Sequence, residues 1–142
     1  MAGKRYIVEE AAVPAFGFDW GRTTFTVSPE INGAVAISAA VAVLEPGQGH
    51  ARHNHPEAEE VIHVLSGTGE QMIEDEDGRP VTHAVGPGTT IYVPQGRFHA
   101  TMNRGQGPMR IFVAFSPSGS QDELRRLPDF RLIPPAVDTG ES

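Results

Sequence analysis

The sequence predicts an all-β protein, a six-stranded-or-larger double-sheet barrel with a short C-terminal helix. Three observations carry that reading. The chain breaks into roughly eight to ten short strand-like runs with turn signals at close intervals, the rhythm of all-β barrels and sandwiches. Its 142 residues include 16 glycines and 12 prolines, which suits many tight turns. Two glycine-bounded stretches, Gly47–Gly67 and Gly88–Asn103, offer three histidines and a glutamate from three strand segments. A barrel interior can hold such a set rigidly.

A chain of this length reads as one domain, 1–142, able to bury a real core. The barrel is expected over about 16–116 and the helix and tail over 117–142. No internal repeat, low-complexity segment or linker divides it.

Taken in order, residues 4–14 read as an irregular lead-in or an edge strand. Phe16–Ser28 (FGFDWGRTTFTVS) alternates enough for one or two strands around Gly21, with Trp20 and Phe25 as packing residues. Asn32–Gly33 is a candidate turn, and Ser38–Leu44 (SAAVAVL) a strand whose small residues allow close packing. Residues i and i+2 of a strand share a face, so His53 and His55 can project into one cavity. Pro56 interrupts the pairing, and PEAE forms a turn that lets Glu60 return to that cavity. The following strand, EEVIHVLSG, then directs Glu60, Ile62 and Val64 inward and Val61, His63 and Leu65 outward.

After Gly67 the sequence predicts a hairpin, with Gln71–Glu74 and Pro80–Val85 as its arms and Asp77–Gly78 as its turn. The acidic run Glu74–Asp77 reads as a solvated tip; it lacks the alternating ligands of a calcium loop. His83 is an ordinary strand residue of the second arm. Gly86–Gly88 turns the chain into the strand Thr90–Val93, the Pro94–Gly96 turn precedes His99, and Ile111–Phe115 closes the barrel. Ser120–Glu123 has capping-box spacing, with Ser120 as N-cap and Glu123 reaching back. The helix it opens is expected at about Gln121–Leu127, ending before Pro128. The apolar tail Phe130–Ala136 is expected to pack along the barrel or onto a second subunit.

Charge and composition exclude several functions. Net charge is −7, and Lys4 stands alone beside ten arginines, so no basic stripe exists for a nucleic acid. Without cysteine there are neither disulfides nor thiolate metal sites. No N-terminal apolar run has signal-peptide length and no segment is long enough to span a membrane, so a cytoplasmic protein is expected. Arg52 and Arg97 flank ligand-type residues and could hold an anionic substrate, although solvated rim positions are the simpler reading.

His53, His55, Glu60 and His99 form a ligand set of three imidazoles and one carboxylate. Such a set suits a divalent transition metal (iron, manganese, nickel, copper or zinc), whereas all-oxygen sets favour calcium and magnesium. Glu57 and Glu59 are lesser rivals for the carboxylate. His50 lies three residues before His53 and faces away on a continuous strand; His63 points outward. Asn103 shares the parity of His99 and is expected to hydrogen-bond within the barrel, helping to orient a ligand. Met72 and Phe112 are candidate pocket walls, and Tyr92 is the nearest candidate for a general base.

At these residues the chain resembles the cupin superfamily. The first cupin motif is a glycine, five residues, His-x-His, three or four residues, a glutamate, six residues and a glycine. Gly47, His53, His55, Glu60 and Gly67 match it. The second motif, a glycine, five residues, Pro-x-Gly, two residues, a histidine, three residues and an asparagine, is matched by Gly88, Pro94, Gly96, His99 and Asn103. The resemblance implies a small single-domain cupin: a double-stranded β-helix, or jelly-roll barrel, with one metal on His53, His55, Glu60 and His99. It does not specify a reaction, because cupins include dioxygenases, decarboxylases, isomerases, epimerases, lyases, storage proteins and sugar-sensing domains. The leading expectation is a homodimeric, dioxygenase-like oxidoreductase with iron or manganese and a small organic substrate. The alternatives are a non-redox isomerase, epimerase, decarboxylase or lyase, and a non-catalytic binding cupin.

Overall fold

Apolar–polar alternation sorts the strands into two antiparallel sheets in the computed structural model, which describes residues 4–137. The first sheet contains β1 (Ala15–Phe18), β2 (Gly21–Val27), β3 (Ser38–Leu44), β5 (Glu59–Ser66), β8 (Thr90–Val93), β10 (Met109–Ser116) and β11 (Arg131–Ile133). Their order is β11-β1-β2-β3-β10-β5-β8. The second sheet runs β4-β9-β6-β7, from β4 (Gly49–His53), β6 (Gly69–Glu74), β7 (Pro80–Val85) and β9 (His99–Asn103). The two ladders do not join edge to edge, so the expected barrel is a jelly roll of two facing sheets.

The core lies between the sheets. Along β10, Met109, Ile111, Val113 and Phe115 are buried while Phe112 turns outward. On β5, Glu60, Ile62 and Val64 point in, and Val61 and Leu65 are exposed, as alternation requires. Ala39, Ala40 and Ala42 let β3 sit between β2 and β10, whose larger side chains fill the space. Each buried Val, Ile or Phe stabilises the fold by about 1.5–3 kcal/mol relative to exposure.

The hairpin β6–β7 forms in the expected register, Glu74 opposite Pro80. Its turn is closed by Asp75, whose carboxylate accepts from the Asp77 and Arg79 amides at 2.9 Å each. Glu74, however, is buried and ion-paired with Arg52, so only the residues after it form the solvated tip. Asn32–Gly33 is the end of a short helix, α1 (Pro29–Asn32), rather than a free turn. Ser28 caps it by accepting from the Ile31 amide, and Gly33 closes it at φ 75°. The tail packs along the sandwich: β11 pairs with β1, and the Phe130 ring meets Phe16 edge-on at 5.2 Å. The second helix, α2 (Ser120–Arg125), follows β10.

Two turn glycines have different costs of replacement. Gly67 (φ 84°) leaves no room for a Cβ, which would stand 2.8 Å from the Met109 Cα and the Pro108 carbonyl. Gly88 (φ 90°) faces open space. Gly88→Ala should therefore cost about 1–2 kcal/mol, the left-handed backbone penalty alone. Gly67→Ala should cost roughly a further 1–3 kcal/mol for steric overlap. Urea unfolding of both variants checks this; equal losses would mean that the Gly67 turn relaxes freely.

Candidate metal centre

β4 and β9 form one wall of the site. Their ladder pairs His50 with Thr101 and His53 with His99, so β4 carries one extra residue between the two pairs. This bulge turns His50 to the same side as His53. The two rings stack at 3.7 Å, and Trp20 also stacks on His50 at 5.5 Å. His50 thus lines the cavity instead of facing away, because the expected alternation assumed an unbroken strand. Trp20 also lines it, rather than serving only the core.

His55 lies beyond the end of β4. Its carbonyl accepts from the Ala58 amide at 3.3 Å and the Gly96 amide at 3.0 Å, which ties the PEAE turn to the Pro94–Gly96 turn. Glu60 comes from the other sheet, on β5 between Val93 of β8 and Phe115 of β10. The four side chains meet: one ligand-capable atom from each of His53, His55, Glu60 and His99 lies within 4.8 Å of the others. Ligands of a bound ion, at about 2.0–2.2 Å each, stand at most about 4.4 Å apart, so a small contraction would close the set on an ion. Glu57 and Glu59 are exposed, which leaves Glu60 as the carboxylate of the cluster.

Hydrogen bonding prepares the set for a cation. Each histidine has an oxygen at Nδ1: the Ala51 carbonyl for His53 at 2.6 Å, the Glu123 carboxylate for His55 at 2.9 Å, and the Arg97 carbonyl for His99 at 2.9 Å. Proton donation from Nδ1 leaves Nε2 with a free lone pair. His99 Nε2 and Glu60 Oε1 are buried and lack hydrogen-bond partners. They lie 2.9 Å apart but are not aligned as donor and acceptor. Buried polar atoms without partners are costly, and a cation shared between them would satisfy both. The residues fit a divalent transition metal.

Burial favours neutral His50 and His53, whereas carboxylate contacts favour a charged His55. Burial pulls His50 down to about 4 and His53 further still, helped by neighbouring histidines. Burial also pulls His55 down, but the Glu60 and Glu123 carboxylates outweigh it and the net direction is up. For Glu60, burial raises the value, yet contacts with His55 and His99 hold it below the usual carboxylate range. Around the cluster, Ile62, Ile111, Val113, Phe115 and Leu124 give apolar walls to a cavity of ≈ 50 Å³. That is room for on the order of three waters.

Several residues singled out in the sequence stand elsewhere. Arg52 pairs with Glu74 and stacks 3.8 Å over Phe98, and Arg97 donates to the Glu74 carbonyl at 3.1 Å. Tyr92 is exposed and donates to Glu59 at 2.6 Å, because its strand parity points it out of the sandwich. Met72 and Phe112 lie on outward parities and are not pocket walls. Asn103 is fully buried but orients no ligand. Its amide donates to the Leu44 and Gly107 carbonyls and its oxygen accepts from Gly105, pinning the turn before β10. His63 bonds Thr90 on the outer face, and His83 is exposed. Glu123 was visible in the sequence only as a capping residue. In the fold the N-cap is Gly119 without a side-chain cap bond, and Glu123 turns to His55.

A family model described as Cupin domain matches residues 40–115. Auxin-binding protein ABP19b of Prunus persica is 34% identical over 117 residues, covering 82% of this chain and 52% of that protein. Glucose-6-phosphate isomerase of Thermococcus kodakarensis is 32% identical over 91 residues, covering 58% and 47%. The chain spans about half the length of the curated relatives it matches. The structure of oxalate decarboxylase from Bacillus subtilis at pH 4.6 superposes with a TM-score of 0.65 at 25% identity, covering 71% of this chain and 26% of that one. Among the described residues no helix is long and apolar enough to cross a membrane.

The buried His50 makes the metal-free protein sensitive to acid. Its ordinary value is 6.5 and its folded value about 4. Below 6.5 the unfolded chain takes up a proton that the folded chain refuses, so stability falls as pH drops from 6.5 towards 4. His50→Gln should remove ~2 kcal/mol of that loss. Urea unfolding of metal-free wild type and variant at both ends of the window measures it; equal losses would mean that the His50 ring is solvated.

Proposed function

The chain belongs to the cupin domain family, and from that premise we propose a mononuclear metal-dependent oxidoreductase, dioxygenase-like in its chemistry, acting on a small organic molecule. The carrying observation is the convergence of His53, His55, Glu60 and His99 in a small cavity with apolar walls, with His99 Nε2 and Glu60 Oε1 lacking other partners. Iron or manganese held there would supply redox chemistry and Lewis acidity; nickel, zinc or copper would fit the same donors.

The chain's own residues supply the rest. The Nδ1 contacts keep each ring in one tautomer with Nε2 aimed inward. Ile62, Ile111, Val113, Phe115 and Leu124 exclude water, which strengthens electrostatic contacts and protects reactive species. No arginine or lysine lines the cavity, so a substrate would be held at the metal and by apolar contact rather than by a salt bridge. That weighs against a phosphorylated sugar, the substrate named for the Thermococcus relative.

A second reading, a non-redox isomerase, decarboxylase or related lyase, gains from His50. This histidine lines the cavity outside the ligand set and is unprotonated at pH 7, but burial, by pulling it down to about 4, makes it a weak proton acceptor. A homodimer belongs to the leading proposal, supported by Val61, Leu65, Tyr92 and Phe112, which are exposed together on the outer face of β5, β8 and β10. Sedimentation at twice 15.2 kDa would agree with it, and at 15.2 kDa would refute it.

Protein purified without a histidine tag or chelator should contain near-stoichiometric iron or manganese by mass spectrometry. His53→Ala should lose most of that metal and keep its β-sheet circular dichroism; unchanged metal content would refute the ligand assignment. Substrate-dependent dioxygen uptake supports the oxidoreductase. Turnover under anaerobic conditions with several metals would instead establish the second reading.

A further inference from the structure

We propose that Glu123 is a positioning residue for the metal centre, and that α2 is a wall of the site rather than a segment appended to the sandwich. The proposal rests on the metal reading above. Glu123 lies outside the residues matched by the family model, 40–115. Its Oε2 stands 2.9 Å from His55 Nδ1, while Nε2 of the same ring lies 3.4 Å from Glu60 Oε1. The imidazole is therefore held between a carboxylate behind it and the cluster before it. A carboxylate in that position fixes the tautomer, restrains ring rotation and raises the ligand's basicity.

His55 is the ligand that needs such a support. His53 and His99 each bond a carbonyl two residues earlier in the chain, so their orientation is local. His55 lies past the end of β4 and takes its acceptor from a residue 68 positions away. Phe115 packs edge-on against the ring at 5.0 Å but offers it no hydrogen bond.

The local structure of α2 points the same way. Ser120 and Glu123 have the spacing of a capping box, yet no side-chain cap forms and Ser120 Oγ is buried without a partner. Gln121 Oε1 accepts from the Gly119 amide at 3.2 Å, so Glu123 is not needed for the reach-back and extends to the site. Departures from a local pattern are expected at functional sites. The helix is also held in place for the task. Leu124 is buried and lines the cavity, while Arg125 bonds Glu30 at 3.0 Å and lies 4.9 Å over the Phe16 ring.

Metal-free full-length protein titrated with Co²⁺, in competition with a chromophoric chelator, tests the role. Glu123→Ala should weaken Co²⁺ binding about 10–100-fold, the usual effect of removing an outer-shell partner, and shift the visible spectrum of the bound ion. Glu123→Gln keeps an acceptor oxygen and should recover part of the affinity. Asp122→Asn, on the same helix but paired with Arg125, should bind as wild type does. Wild-type affinity and spectrum in Glu123→Ala would overturn the positioning role alone. Failure of wild type to bind Co²⁺ would overturn the metal reading and this proposal with it. Should Glu123→Ala fail to fold, Glu123→Gln decides: weaker binding with an intact thermal transition supports the role, and unchanged binding overturns it.

Discussion

A carboxylate only 5% exposed at the centre of an apolar sandwich is the constraint on which the rest of the structure depends. An unpaired buried charge costs several kcal/mol, so Glu60 must be surrounded by partners. The sequence brings His55 and His99 Nε2 to within 3.4 and 2.9 Å of one Glu60 oxygen, which still lacks a hydrogen-bond partner, so a cation shared with these nitrogens would meet the need. Register makes the arrangement all-or-none. A one-residue slip of β5 would bury Glu59, Val61 and His63 and expose Glu60, Ile62 and Val64. Pairing with β8 on one side and β10 on the other holds the strand against that slip.

The cluster also spans the sandwich. Glu60 belongs to the seven-stranded sheet, His53 and His99 to the four-stranded one, and His55 to the chain between them. No hydrogen-bond ladder joins the two sheets, so packing of Ile62, Ile111, Val113 and Phe115 supplies the cohesion across this gap. An ion at the cluster would add a second polar link between the sheets beside the Asn103–Leu44 hydrogen bond. Metal affinity and folding stability would then be coupled, since a site of this kind does not exist in the unfolded chain.

The same physics explains which parts of the fold could be read from the sequence. β5 was legible because a central strand with one buried face obeys alternation strictly, and Glu60 followed from it. The hairpin at Asp77–Gly78 and the strand Ser38–Leu44 were legible because their signals are local. His50 was not, because a bulge changes parity and leaves no reliable mark in one sequence. Glu74 was not, because its burial depends on Arg52 across the sheet, 22 residues away. Glu123 was misread for the opposite reason: a strong local pattern suggested a cap, and a distant histidine competed for the same carboxylate and won.

The choice between oxidoreductase and Lewis-acid chemistry turns on His50 more than on the ligand set. The same imidazoles and carboxylate serve both, and fold likeness cannot separate reactions that share one scaffold. What differs is the demand for a proton acceptor beside the metal. Tyr92 is ruled out by its outward parity, and Arg52 and Arg97 are engaged at Glu74. His50 is the remaining cavity-lining imidazole outside the ligand set, and burial, by pulling it down to about 4, makes it a weak proton acceptor at neutral pH. It also stacks on both Trp20 and His53, which restricts rotation of its ring. Oxidative chemistry has no such requirement and works with the apolar walls as they stand, which is why it keeps the lead.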